Sequence, residues 1–214
     1  IAYQTAYLKT YYKEDFIAAT MSTELTNSSK LREFVEELKR LKVEIIRPSI
    51  NKCFAEFKSI EGKIHYGLGA IKNVGFEAVG NIIKEREKNG KYKSFNDFIN
   101  RVNAKDVNKL QLEGLVKAGV FDEFDEDRNK ILNSIPIIIQ KIKNINDDKD
   151  NHQTNLFNDQ EICQTEFEFL PSTSWSQKEL LSEEFKSIGF YLTNHPLNEF
   201  EEIFNQLNIV PYNE

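Results

Sequence analysis

Cysteine is nearly absent from this chain. The two present, Cys53 and Cys163, lie far apart, with no Cys-x-x-Cys spacing and no nearby pair of histidines, which excludes a disulfide framework and a finger-type zinc site. Cys53 reads as a small buried residue and Cys163 as a passenger in a polar linker. Long apolar runs are missing too. Nothing approaches the roughly 20 residues that span a bilayer, and no signal peptide is visible, so a cytoplasmic protein without a membrane partner is expected. Equally missing are a P-loop, a nucleophile elbow, an HExxH sequence and a spaced aspartate pair on a strand of the kind that holds two magnesium ions. The acidic residues fall instead in helical surface patterns and in the linker. The segment is therefore expected to carry no catalytic residue, no metal ligand and no cofactor of its own.

What is present is 214 residues with a formal charge of -6, enough chain for one or two domains with a buried core. The charge is unevenly spread. From Lys63 to Lys117 there are 11 Lys and Arg against 6 Asp and Glu, a local +5 that leaves -11 for the remainder. Such asymmetry suits a region that touches phosphates inside a protein that otherwise stays off them. The chain opens on Ile1 within an aromatic helical pattern, and a piece of a longer protein is expected.

Hydrophobic periodicity predicts a mainly α fold: a helical bundle with a small β-hairpin, a tandem helix-hairpin-helix unit, a flexible linker and C-terminal helices. Helices are expected over 1–12 and 14–25, followed by an amphipathic helix capped by Ser28 or Ser29 with Leu31, Phe34, Val35, Leu38 and Leu41 on its inner face. Val43–Ile46 reads as extended. Short strands are expected at Phe54–Phe57 and Ile64–Leu68 around a Glu61-Gly62 turn, with His65 on the polar face as a solvated histidine. A helix follows Gly75, with Ala78, Val79, Ile82 and Ile83 inward and Lys84, Arg86 and Lys88 at its far end, stopped by Gly90. Ser94 with Asp97 and Asn108 with Gln111 each start a short helix, the second closed by Gly119. A helix over 127–145 should kink at Pro136. The polar run 144–151 then opens the linker, and Ser176 with Glu179 caps a helix ending at Gly189, ahead of a last helix over 197–207.

Two patterns carry chemistry. In Gly69 to Phe76, glycines at 69 and 75 permit positive φ and close backbone approach, while the helix starting at Phe76 aims its dipole and free amides at the same spot. That arrangement grips a phosphate of nucleic acid without reading its sequence. The candidate DNA-binding residues are Gly69, Lys72, Asn73, Val74, Gly75, Phe76 and Lys109. The second pattern is Gln153-Thr154-Asn155-Leu156-Phe157, where apolar anchors sit in an otherwise polar stretch. Leu156 and Phe157 would fill a hydrophobic pocket on a partner while the Gln153 carboxamide fixes the register.

Several blocks together resemble the family C replicative polymerases of bacteria, the DNA polymerase III alpha subunits. Ala2-Tyr3-Gln4-Thr5-Ala6-Tyr7-Leu8-Lys9 resembles the end of the family's fingers domain, and Ile46-Arg47-Pro48-Ser49-Ile50-Asn51 its (I/L)xPP(D/S)(I/V)N segment. Tyr66-Gly67-Leu68-Gly69-Ala70-Ile71-Lys72-Asn73-Val74-Gly75 resembles its YGLGAIKGVG block, with Asn73 where the family has a first hairpin glycine. Asn108 to Leu115 and Lys117 to Asp122 resemble NKRxLExLIxAGAFD, and Ile188 to Leu192 with His195-Pro196-Leu197 resembles GFYLSGHPL. The resemblance implies that residues 1–50 end the fingers, that 51–145 form the helix-hairpin-helix domain, that 146–175 are a linker, and that 176–214 lead toward a further domain. It implies that Gln153, Leu156 and Phe157 bind the sliding clamp, and that the intact enzyme extends primers with magnesium held by aspartates outside this segment. Double-stranded DNA, the clamp and other replisome subunits are the partners implied. Two readings of another class stay open on the residues alone, a clamp-associated repair accessory protein that borrows the hairpin without polymerase activity and a helical scaffold that binds only protein.

Overall fold

The structure, a computed structural model, describes residues 1–150 and 167–207. Gln153, Leu156, Phe157 and Cys163 lie outside the described residues. The chain is mainly helical, with one small sheet. It begins with α1 (Ala2–Tyr11), α2 (Lys13–Thr23) and α3 (Ser28–Arg40). α2 buries Ile17, Ala18 and Met21, and α3 buries Leu31, Val35 and Leu38 of its predicted stripe, whereas Leu41, expected on the same face, is the exposed C-cap. The cap of α3 is Asn27, not either serine: its side chain accepts from the Lys30 amide. Asparagine is as good an acceptor as serine at this position. α1 buries no residue and leaves Tyr3, Tyr7 and Tyr11 exposed.

The sheet is built from β1 (Ile45–Ile46), β2 (Lys58–Ile60) and β3 (Lys63–His65) in the order β1-β3-β2, with β2 antiparallel and β1 parallel to β3. The hairpin turn falls at Glu61 and Gly62 as expected, with φ of 52° and 73°, the doubly left-handed geometry of a two-residue connection. Pairing next to so tight a turn must begin at Ile60 and Lys63, so the first strand lies later than the expected Phe54–Phe57. That apolar pair serves packing instead. Phe57 is buried in the core, and Phe54 makes a lone bridge to Gly67.

Next come α4 (Phe76–Asn89), stopped by Gly90 at φ 83°, and α5 (Phe95–Arg101), capped by the Ser94 hydroxyl on the Asp97 amide. α6 (Lys109–Lys117) opens on a complete capping box between Asn108 and Gln111. α7 (Arg128–Asp150) continues as one helix past Pro136 and runs five residues beyond the expected end. Its stripe of Ile131, Ile135, Ile138 and Ile142 is buried, and tertiary packing of this kind outweighs the one hydrogen bond a proline removes. Residues 167–175, expected as the end of a linker, return to this helix. Phe167 and Phe169 pack on the core and the Leu170 amide donates to Ser134 Oγ at 2.9 Å. α8 (Gln177–Ile188) has the predicted Ser176–Glu179 capping box and ends at left-handed Gly189. A 3-10 turn (Pro196–Phe200) and α9 (Glu201–Gln206) complete the described chain.

One continuous core joins α2, α3, the sheet, α4 to α7 and the end of α8, from Ile17 to Leu192. At its centre Tyr92, Phe95, Phe98 and Phe121 meet at centroid distances of 5.0 to 5.9 Å, within the range of favourable edge contacts. Cys53 is fully buried, and burial pushes its thiol up to about 11. An alkylating reagent at pH 8 is therefore expected to leave Cys53 unlabelled in the folded protein and to label it once urea unfolds the chain, as read by peptide mass spectrometry. From about pH 9 to pH 11 only the unfolded thiol ionises, so folding weakens as pH rises through that window.

Candidate nucleic-acid interface

Between β3 and α4 the chain makes a 3-10 turn, Leu68–Ala70, and then a second turn closed by the Val74 amide donating to Ile71 O at 3.2 Å. The left-handed position of this second turn is Asn73, at φ 64°. Gly69 and Gly75 were expected to supply that conformation, and neither does: Gly75 stands at φ -73° as the N-cap of α4, and Gly69 is not among the positive-φ residues. Asparagine is one of the few side chains that adopts αL at low cost. The glycines answer a different constraint. A Cβ on Gly69 would come within 2.9 Å of Ala55 O and of the Phe76 ring, and one on Gly75 within 3.1 Å of Gln111 Nε2. They are small because neighbours press against them, not because of φ.

No side chain caps α4 at Gly75, and Asn73, Gly75, Phe76 and Glu77 are all exposed. The amides of the first helical turn thus have no intrahelical acceptor and face outward with the positive end of the helix dipole. Glu77 in that turn offsets part of the field. Val74 is buried and anchors the turn, whereas the Lys72 side chain is exposed and its amide donates to Ser187 O at 2.9 Å. The start of α6 lies beside this site, with Gln111 against Gly75 and Gly114 against the Lys72 carbonyl. Lys109, the first residue of α6, is exposed, and its ion-pair partner among the described residues is Glu113, at a loose 3.9 Å. The structure therefore brings Lys72, Asn73, Gly75, Phe76 and Lys109 to one surface while Val74 and Gly69 support it from within.

The local excess of positive charge is smaller in space than in sequence. Arg86 is buried and donates to Ile50 O at 2.6 Å and Cys53 O at 2.7 Å, so it does not extend the basic end of α4 as expected. Burial holds its guanidinium below the usual range despite nearby Glu87. Arg101 is held by Glu85 at 3.2 Å and Asp97 at 3.1 Å and lies over the Tyr92 ring. Lys63 pairs with Glu44 and Lys117 with Glu183. Although burial alone would raise the Glu183 carboxyl, hydrogen bonds from Lys186 and Lys117 hold it below the ordinary range. Lys72, Lys84, Lys88, Lys91, Lys93 and Lys105 are exposed and have no ion pair among the described residues.

Sequence reasoning missed the supports. Gly114, within an amphipathic helix, was the available signal, since a helix-interior glycine usually marks close packing. Glu184 gave none. It is wholly buried, accepts from the Leu192 and Thr193 amides at 3.0 Å each, and faces Arg128 at 3.8 Å. His65 is not a simply solvated histidine either, because Nδ1 lies 2.7 Å from Lys52 O. Among the described residues no group of three or more His, Cys, Asp or Glu is placed to hold a metal ion, and no helix is long and apolar enough to cross a membrane.

The model of the helix-hairpin-helix motif family matches residues 42–131. The DNA polymerase III subunit alpha of Borreliella burgdorferi is 40% identical over 98% of this chain, which corresponds to 19% of that relative. The proteins of the same name from Campylobacter jejuni and Caulobacter vibrioides are 36% and 35% identical over 98% and 93% of the chain, 18% and 17% of their own lengths. The chain spans less than a fifth of the length of these relatives.

Proposed function

Because this chain belongs to the DNA polymerase III alpha subunit family as a segment of it, we propose that it is the part that keeps a replicative polymerase on its DNA and has no catalytic role of its own. The observation that carries this reading is the uncapped start of α4 at Gly75, flanked by left-handed Asn73 and exposed Lys72 and Lys109. Open amides at a helix start, joined by two lysines, suit a duplex phosphate and make no demand on base sequence. In the intact subunit, primer extension by nucleotidyl transfer and the magnesium it uses would belong to residues outside this chain.

Gln153, Leu156 and Phe157 would add the second hold, on the sliding clamp. A modest peptide contact gains strength from the DNA contact beside it, because each raises the effective concentration of the other. The assembled replisome and a cytoplasmic location follow from the same reading. Its test is duplex binding by fluorescence anisotropy across a salt series, beside retention of the clamp on immobilised chain. Lys72→Glu with Lys109→Glu should weaken duplex binding about tenfold and flatten the salt dependence by close to 0.9 per lost phosphate, while Leu156→Ala with Phe157→Ala should reduce clamp retention alone. Unchanged duplex binding in the first variant, or unchanged retention in the second, removes the corresponding hold.

A further inference from the structure

Beside the hairpin, the outer face of the sheet is cationic for reasons the hairpin does not explain. Ile46, His65 and Lys58 are cross-strand partners and so share one face, while Ile64 on the other face is fully buried. Lys58 Nζ sits 4.6 Å from the centre of the Phe54 ring, and the ring is also approached by His65 at 6.0 Å and by the Arg86 guanidinium at 5.2 Å. Phe54 thus holds Lys58 in place without neutralising it. Because a carbonyl can only accept, the 2.7 Å contact to Lys52 O places the proton on His65 Nδ1 and leaves Nε2 without a partner among the described residues.

Charge here is only partly compensated: Arg47 and Lys52 line a cavity that Glu123 and Glu126 also line, without an ion pair to either among the described residues. Lys52, Lys58 and Arg47 are exposed and have no ion pair among the described residues. Arg86 carries its charge into the interior, and its hydrogen-bond partners are two main-chain carbonyls, with no carboxylate in ion-pair reach among the described residues. Glu44 is engaged by Lys63 at 2.7 Å, and the one carboxylate within the Lys52–Lys58 segment is exposed Glu56. A buried cation beneath an aromatic ring and free lysines around it favour an anion at this face.

The face adjoins the hairpin directly. The Leu68 amide donates to Phe54 O at 2.8 Å and the Gly69 amide to Ala55 O at 2.9 Å. The geometry points to a second phosphate site formed by Lys52 and Lys58, with the His65 ring beside it as a reporter and not a donor, which takes the backbone of the same duplex that the hairpin holds. The assignment of duplex as the source of that phosphate rests on the function proposed above, and the site itself does not. Two strands, or two turns of one strand, would then be held at separate points, which fixes the direction of the helix axis against the protein as one grip cannot.

Two measurements on the full chain test this. Inorganic phosphate, titrated into the wild type, is expected to shift the His65 ring resonances in a 1H–15N spectrum and to leave them in place in the Lys52→Gln, Lys58→Gln variant. The same variant should bind a 20-base-pair duplex about tenfold more weakly, with a salt slope smaller in magnitude by about 1 to 2. An unshifted His65 in the wild type overturns the site. A shifted His65 with an unchanged slope in the variant, while Lys72→Glu with Lys109→Glu still weakens binding, overturns the duplex as its ligand and leaves the hairpin's role intact. A wild type that does not bind duplex removes both the hairpin's role and this ligand assignment.

Discussion

Replacing Glu184 by alanine is expected to lower folding stability by about 3 to 5 kcal/mol, the range found when one partner of a buried charged network is removed. The carboxylate has no exposed surface. Its Oε1 accepts two amides, from Leu192 and Thr193, and its Oε2 accepts the Thr193 hydroxyl at 2.7 Å. Truncation would strand all three donors in the interior and leave Arg128, itself nearly buried, to Asp122 and the Lys117 carbonyl. Each stranded donor costs about 1 to 3 kcal/mol. The midpoint of urea unfolding reads this directly. Glu184→Gln, which keeps an acceptor oxygen, should recover a substantial part of the loss. A midpoint unmoved in the alanine variant would mean that α8 is not tied to the segment after Gly189 in this way.

The second large effect is expected at Gly114. An alanine Cβ there would lie 2.7 Å from the Lys72 carbonyl oxygen and 3.2 Å from Val74 Cγ2. The first of these atoms is main chain and cannot rotate aside, so either α6 or the turn carrying Asn73 must move. Alanine would gain about 1 kcal/mol of helix propensity over glycine. Overpacking against main chain outweighs that gain, and a net loss of about 2 kcal/mol is expected. Duplex affinity should fall about tenfold as well, although residue 114 supplies no group to the DNA, because the Asn73 turn and the Lys109 end would no longer share one surface. Gly114→Ala with stability raised and affinity unchanged would show that α6 does not set the hairpin's position.

Local chemistry was the legible part of this chain. Ser94, the Asn108–Gln111 box and the Ser176–Glu179 box each start the helix their spacing predicts, and Gly90 and Gly189 each end one. These signals act over three or four residues and do not depend on what lies across the core. The α3 stripe was legible for the same reason. What failed were judgements that need a distant partner. Arg86 looks like one more surface cation until Ile50 and Cys53 bring their carbonyls to it from another element. Gly69 and Gly75 look like positive-φ positions, since nothing in their own sequence reveals Ala55, Phe76 and Gln111 pressing on them. The motif told where the turn would be; only packing told why its residues are small.

The amide of Lys72 is held by the carbonyl of Ser187, at the last turn of α8. Two surfaces joined by so short a path share their free energy. Whatever firms up the chain just beyond Ile188 would firm up the Asn73 turn, and, under the proposed function, a nucleic acid bound at that turn would by reciprocity steady the downstream chain to the same extent.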